Sequence, residues 1–153
     1  MRIERDNLAD SPNRNASNGL FLMTRYQDKD TLYYLGLRVD GTAVIKKKYG
    51  GTYYTMAQKR ILPGRYSAHI IANLLPHSEW LALRADTEVD AKGGVTVKLY
   101  LRRENEENFK LLLTAYDDGK KYGGTPPIAN DGHAGVRTDF MDVSFKRFRI
   151  DPL

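Results

Sequence analysis

From Leu20 onward the chain alternates short apolar runs with turn residues, and no segment holds the 3.6-residue period of an amphipathic helix. Leu20 to Tyr26 and Thr31 to Val39, rich in aromatic, leucine and threonine residues, read as strands. Asp40-Gly41 then turns the chain into a third run, Thr42 to Lys48. A two-residue loop would set Leu35 against Lys46. A three-residue loop ending at Gly41 sets Leu35 against Ile45 and Leu37 against Ala43, and is preferred because register follows the apolar faces. A second hairpin joins Trp80 to Asp90 with the run that begins at Val95. Odd positions are apolar on both sides, which predicts Lys92-Gly93-Gly94 as a three-residue loop, Ala91 opposite Val95, Glu88 facing Lys98 and Asp86 facing Tyr100. Further strands are expected at Arg2 to Glu4, Asn108 to Tyr116, Gly132 to Thr138 and Met141 to Ile150, the last broken near Lys146-Arg147. Asp6 to Gly19 and the Pro126-Pro127 segment read as loops. At least eight strands are needed, and the predicted class is an all-β antiparallel sandwich or barrel.

At 153 residues, with no repeat, low-complexity tract or linker, the chain is expected to form a single domain with one core. It contains no cysteine, which excludes disulfides, thiolate metal sites and a cysteine nucleophile and leaves the compartment open. No apolar run approaches the roughly 20 residues of a membrane-spanning helix, and the N-terminus lacks the apolar centre of a signal peptide. The net charge of +5 invites a nucleic-acid reading. Its 24 basic residues are spread among 19 acidic ones rather than clustered, so nucleic acid ranks low among partners.

One stretch gathers charge and aromatic surface: Ile45-Lys46-Lys47-Lys48-Tyr49-Gly50-Gly51-Thr52-Tyr53-Tyr54. On a regular strand Lys46 and Lys48 project to one face and Lys47 to the other, so the three lysines cannot form one phosphate-binding patch. The double glycine is expected to open a loop that places Tyr53 and Tyr54 independently.

The strand order and several local patterns resemble the concanavalin A-like, laminin G-type superfamily. The pieces are Gly19-Leu20-Phe21-Leu22-Met23-Thr24-Arg25-Tyr26-Gln27-Asp28, Tyr33-Tyr34-Leu35-Gly36-Leu37 with Asp40-Gly41, Trp80-Leu81-Ala82-Leu83, Gly94 to Tyr100, Gly132 to Thr138, and Val143-Ser144-Phe145 with Phe148-Arg149-Ile150. The resemblance implies a two-sheet antiparallel jelly-roll β-sandwich. It also implies carbohydrate-related work: polysaccharide-binding modules, accessory domains, glycoside hydrolases, 3-keto-disaccharide hydrolases, polysaccharide lyases, or laminin G-type protein interaction. An extracellular or periplasmic setting follows from the resemblance only. Fold alone does not choose among these functions. The chain is short for the family, with little before Leu20, which leaves room for an upstream strand, a neighbouring domain or a second chain. Family members often carry Asp after the Phe of the last strand, at times as part of a structural calcium site. Here Phe145 is followed by Lys146 and Arg147, so no cofactor is assigned.

Among candidate chemistries, Asp86-Thr87-Glu88-Val89-Asp90 places three carboxylates on one strand face, an alternation that laminarinase-type hydrolases also use. Retaining glycosidases need two carboxyl groups about 5–5.5 Å apart. The predicted pairing of Glu88 with Lys98 explains the motif as a solvated charged face instead. His69, His77 and His133 have no metal-ligand spacing. Asp28-Lys29-Asp30, Asp117-Asp118 and Asp139 with Asp142 offer oxygen donors but are equally ordinary in turns. Catalytic residues and a metal site are therefore left unassigned. Carbohydrate binding requires aromatic faces and a few polar groups in a shallow groove. Its candidates are Arg25, Tyr34, Tyr53, Tyr54, Trp80, Arg137 and Asp139, with Trp80 also suited to a core or sheet-edge role. The leading expectation is a non-catalytic polysaccharide-binding or accessory domain with its ligand on the concave sheet or rim loops.

Overall fold

The structure is a computed structural model that describes residues 1–152. Among the described residues, ten strands form three antiparallel sheets. The largest contains five: β2 (Gly19–Asp28), β3 (Thr31–Arg38), β4 (Thr42–Tyr49), β5 (Thr52–Arg60) and β9 (His133–Thr138), in the order β5-β4-β3-β2-β9. A three-stranded sheet holds β6 (Ala82–Val89), β7 (Val95–Arg102) and β8 (Lys110–Asp117) in sequence order. Short strands β1 (Arg2–Asp6) and β10 (Met141–Ser144) pair with each other at one end.

Period-two alternation builds the core between the two larger sheets. Leu20, Tyr33, Leu35, Leu37, Ala43 and Ile45 point inward from one sheet. Val95, Val97, Leu99 and Ala115 meet them from the other, all in one buried cluster. The result is a sandwich in which each large sheet also has an outer face. On the five-stranded sheet that outer face carries a second, separate apolar cluster of Phe21, Leu32, Tyr34 and Val44, with Met23 and Tyr26 packed against it.

The first hairpin has the expected register, with Leu35 opposite Ile45 and Leu37 opposite Ala43. The second differs. Val89 rather than Ala91 lies opposite Val95, so Asp86 faces Lys98 and Arg84 faces Tyr100. The Asp90 carboxylate accepts the backbone N–H groups of Lys92 and Gly94, which closes a five-residue turn. A shift of two residues keeps every side chain on its expected face, so the apolar pattern could not distinguish the two registers.

Tyr53 and Tyr54, expected in a loop after the double glycine, lie in strand β5. Gly50 and Gly51 both have positive φ (55° and 81°) and make a two-residue hairpin turn that pairs Tyr49 with Thr52. The last strand stops at Ser144 instead of Ile150, and Phe145, Phe148 and Ile150 are exposed beyond it.

Among the described residues, each of the two larger sheets contributes one wholly buried charged group. Lys47 and Asp117 are wholly buried, 2.7 Å apart, and the remaining Lys47 donors reach the carbonyls of Thr125 (2.9 Å) and Pro126 (2.8 Å). Tyr33 donates its hydroxyl to the same Asp117 oxygen at 2.6 Å and accepts the Ile128 N–H at 3.0 Å. Burial, then the bond to Asp117, pushes the Tyr33 hydroxyl far above the ordinary tyrosine range. This network ties the Pro126-Pro127 loop to the sheet.

Candidate functional site

The outer face of the five-stranded sheet brings together four of the seven candidate residues: Tyr34, Tyr53, Arg137 and Asp139. Strand pairing explains their meeting. Tyr34 lies opposite Lys46, Lys48 opposite Tyr53, and Arg137 opposite Phe21. Tyr34 is the buried floor, packed edge-on against Phe21 (5.4 Å between ring centroids) and against Tyr53 (5.9 Å). Tyr53 is half exposed and presents the open aromatic surface. The Arg137 guanidinium lies 5.8 Å from the Tyr34 ring centre and donates to Asp139 Oδ1 at 2.9 Å. Burial pushes the Tyr34 hydroxyl up to about 12, although Arg137 pulls it the other way. Burial by itself lowers Arg137, but its hydrogen bond to Asp139 and that group's charge leave it raised overall.

Lysines flank this aromatic pair. The Lys46 ammonium sits 6.0 Å from the centres of both the Tyr34 and Tyr53 rings, and Lys48 sits 4.9 Å from that of Tyr53. Lys48 is held by Asp30 at 2.9 Å and Arg38 by Asp40 at 2.7 Å. Burial, then the neighbouring charges of Arg38 and Arg137, lowers the pKa of Lys46. The separation of Lys46 and Lys48 from Lys47 follows the expected alternation, with Lys47 in the core and the other two beside the tyrosines.

The remaining three candidates lie elsewhere. Arg25 sits at a bulge in β2 with φ of +47° and donates to the carbonyls of Ala129 (2.7 Å) and Asn130 (3.1 Å), which anchors the loop before β9. Tyr54 faces away from Tyr53 because strand neighbours alternate, and its ring packs against Gly123 in the short 3-10 turn Tyr122–Gly124. Trp80 is clasped at the other end of the molecule, with Arg2 4.9 Å and Lys146 3.7 Å from its ring centre. Lys146 thus covers the only tryptophan in the sequence.

The carboxylate motif is tied up in ion pairs. Asp86 bonds Arg84 at 2.7 Å and Glu88 reaches Lys98 at 3.3 Å. Asp90 also accepts the Tyr116 hydroxyl at 2.7 Å, which holds its carboxyl below the usual carboxylate range together with its two turn N–H bonds. Among the described residues no three His, Asp or Glu side chains cluster as metal ligands. The site can therefore present an aromatic ring, cations and hydrogen-bond donors to a ligand lying across the sheet. The chain matches no protein-family model, curated protein or solved structure.

Lys46, Lys48 and Arg38 were missing from the candidates. The first hairpin register already placed Lys46 opposite Tyr34, so the signal was present. Recognising the Gly50-Gly51 turn would have added Lys48 and Tyr53 to the same face.

Proposed function

We propose that this protein is a non-catalytic polysaccharide-binding or accessory domain, on a concanavalin A-like jelly-roll sandwich, with the outer face of the five-stranded sheet as its ligand surface. The observation that carries this reading is the half-exposed Tyr53 ring beside Lys46, Lys48 and Arg137 on a sheet face that leaves it open. Sugar rings present apolar C–H patches that stack on such an aromatic face, while arginine, lysine and aspartate hydrogen-bond the hydroxyls. A glycan array probed with the parent, Tyr53→Ala and Tyr54→Ala proteins tests it. Retention by the parent and by Tyr54→Ala, with loss in Tyr53→Ala, is expected. Absence of any retained glycan refutes the reading, and release of products in matched hydrolysis assays replaces it with a glycan-degrading enzyme.

A protein-interaction role of the laminin G type draws support from one feature. Strand β8 lies at the edge of its sheet with Leu111 and Phe109 exposed. An apolar, unpaired edge suits addition of a partner strand. Leu111→Lys should abolish such an association while leaving glycan retention intact.

A further inference from the structure

Electrostatic pairing on the outer face is incomplete. Of its cations, Arg38 is matched by Asp40, Lys48 by Asp30 and Arg137 by Asp139. Lys46 has no carboxylate or hydrogen-bond partner among the described residues, although it is partly buried between two tyrosines. Arg60, at the far end of the same face opposite Thr42, spends its guanidinium on the carbonyls of Leu62 and Gly64 and likewise lacks a carboxylate. Thr42 and Lys46 are four residues apart on β4, so the two unmatched cations are separated by about 13 Å along the strands. Arg60 lines an open depression at that end of the face with Arg38, Thr42, Gln58, Lys59 and Asp40, whose carboxylate is already taken by Arg38.

A neutral glycan would leave both charges unmatched and would partly desolvate Lys46 without compensation. An acidic polymer would supply the missing carboxylate or sulfate at each end, and the ion contact made at Lys46 would be the stronger because the two tyrosines beside it partly exclude water.

Resting on the carbohydrate-binding reading, we infer that the ligand is an acidic polysaccharide, with Lys46 as the residue that selects for a uronate or sulfate group and Arg60 contacting a later unit of the same chain. Charge-assisted contacts of this kind are worth enough to make Lys46→Met weaken binding roughly 10- to 100-fold, with retention of the apolar stem.

Affinity is measured for matched polymers: polygalacturonate against its methyl-esterified form, and dextran sulfate against dextran. Each is tested with the parent, Lys46→Met, Lys46→Arg, Tyr53→Ala and Lys120→Met, the last removing an exposed charge far along the sequence in the β8–β9 loop. Thermal melts confirm that each variant is folded. Support consists of binding to one acidic polymer, weak binding to its neutral form, a large loss in Lys46→Met, recovery in Lys46→Arg and little change in Lys120→Met. Equal binding of acidic and neutral forms, with loss in Tyr53→Ala, overturns the acidic-ligand inference and leaves the carbohydrate reading standing. Equal losses in Lys46→Met and Lys120→Met overturn it as diffuse attraction by a basic protein. Failure of both acidic polymers overturns the acidic-ligand inference, and the carbohydrate reading falls with it only when the glycan array also retains nothing; Lys46-dependent capture of a single-stranded oligonucleotide in place of all four overturns both.

Discussion

Replacing Lys47 by Met tests whether the buried charge pair holds the two sheets and the Pro126-Pro127 loop together. The change removes the ammonium from a site where both it and Asp117 are wholly inaccessible to solvent. Asp117 keeps the Tyr33 hydroxyl and the Gly119 N–H, but its charge is left unpaired, and the carbonyls of Thr125 and Pro126 lose their donor. Breaking a buried pair from one side costs about 3–5 kcal/mol, most of it the cost of the stranded partner. For a chain of this size that corresponds to a fall of about 6–20 °C in melting temperature. Urea denaturation is the assay, because a lower midpoint at unchanged slope reports lost stability without a change in the surface exposed. The double variant Lys47→Met with Asp117→Asn removes both charges and keeps one acceptor oxygen, enough for the Tyr33 hydroxyl or the Gly119 N–H but not both. It should recover at least half of the single variant's loss, the coupling expected of residues in direct contact. A cost below about 1 kcal/mol for Lys47→Met, or strictly additive losses in the double variant, would refute the assignment of this pair as a structural anchor.

Three other outcomes follow from the same geometry. Tyr34 holds its proton up to about 12 in the folded chain against 10.0 ordinarily, so its contribution is complete below pH 10 and is lost as pH rises through its folded value; Tyr34→Phe should keep more stability than the parent in alkaline urea titrations. Gly36→Ala would drive a Cβ onto the Leu20 carbonyl oxygen of the neighbouring strand, a backbone clash that no rotamer relieves, and should cost on the order of 1–3 kcal/mol by chemical denaturation. Trp80 lies with Arg2 and Lys146 rather than on the outer face, so saturation with a glycan ligand should leave tryptophan emission unchanged, and strong quenching or a spectral shift would relocate the site.

The sequence pattern was most informative where one face of a strand is buried. Leu35, Leu37, Ala43 and Ile45 fixed the first hairpin because a one-residue slip would have put Lys46 into the core. It failed for β5, an edge strand whose Thr52, Tyr53, Thr55, Gln58, Lys59 and Arg60 are all exposed, leaving little apolar period to detect. That strand carries the ring most open to a ligand, which explains why the site was legible residue by residue but not as an assembly. Arg25 and Trp80 were plausible by residue type. Their side chains are instead committed to loop carbonyls and to stacked cations, contacts with partners more than 60 residues away that local patterning does not encode.

Lys47 links the stability of the sandwich to the chemistry of its outer face. Ala43 and Ile45 set the register of β4, but its three successive lysines taken alone leave the choice of face degenerate, because each slip by one residue exchanges one lysine-bearing face for the other. Burial of Lys47 against Asp117 and two loop carbonyls removes that degeneracy, since Lys46 or Lys48 at the same place would need the whole strand to move relative to Leu35 and Tyr33. Once Lys47 is fixed inward, alternation leaves Lys46 and Lys48 outward, and the tight Gly50-Gly51 turn brings Tyr53 beside both. A buried ionic group used in this way specifies register, the role for which such groups are best attested. The same double-variant protein that recovers stability should therefore show whether register needs the charge: if the glycan binding proposed above is measured in it with parental dependence on Lys46, the apolar neighbours Val44 and Ile45 alone hold β4 in place.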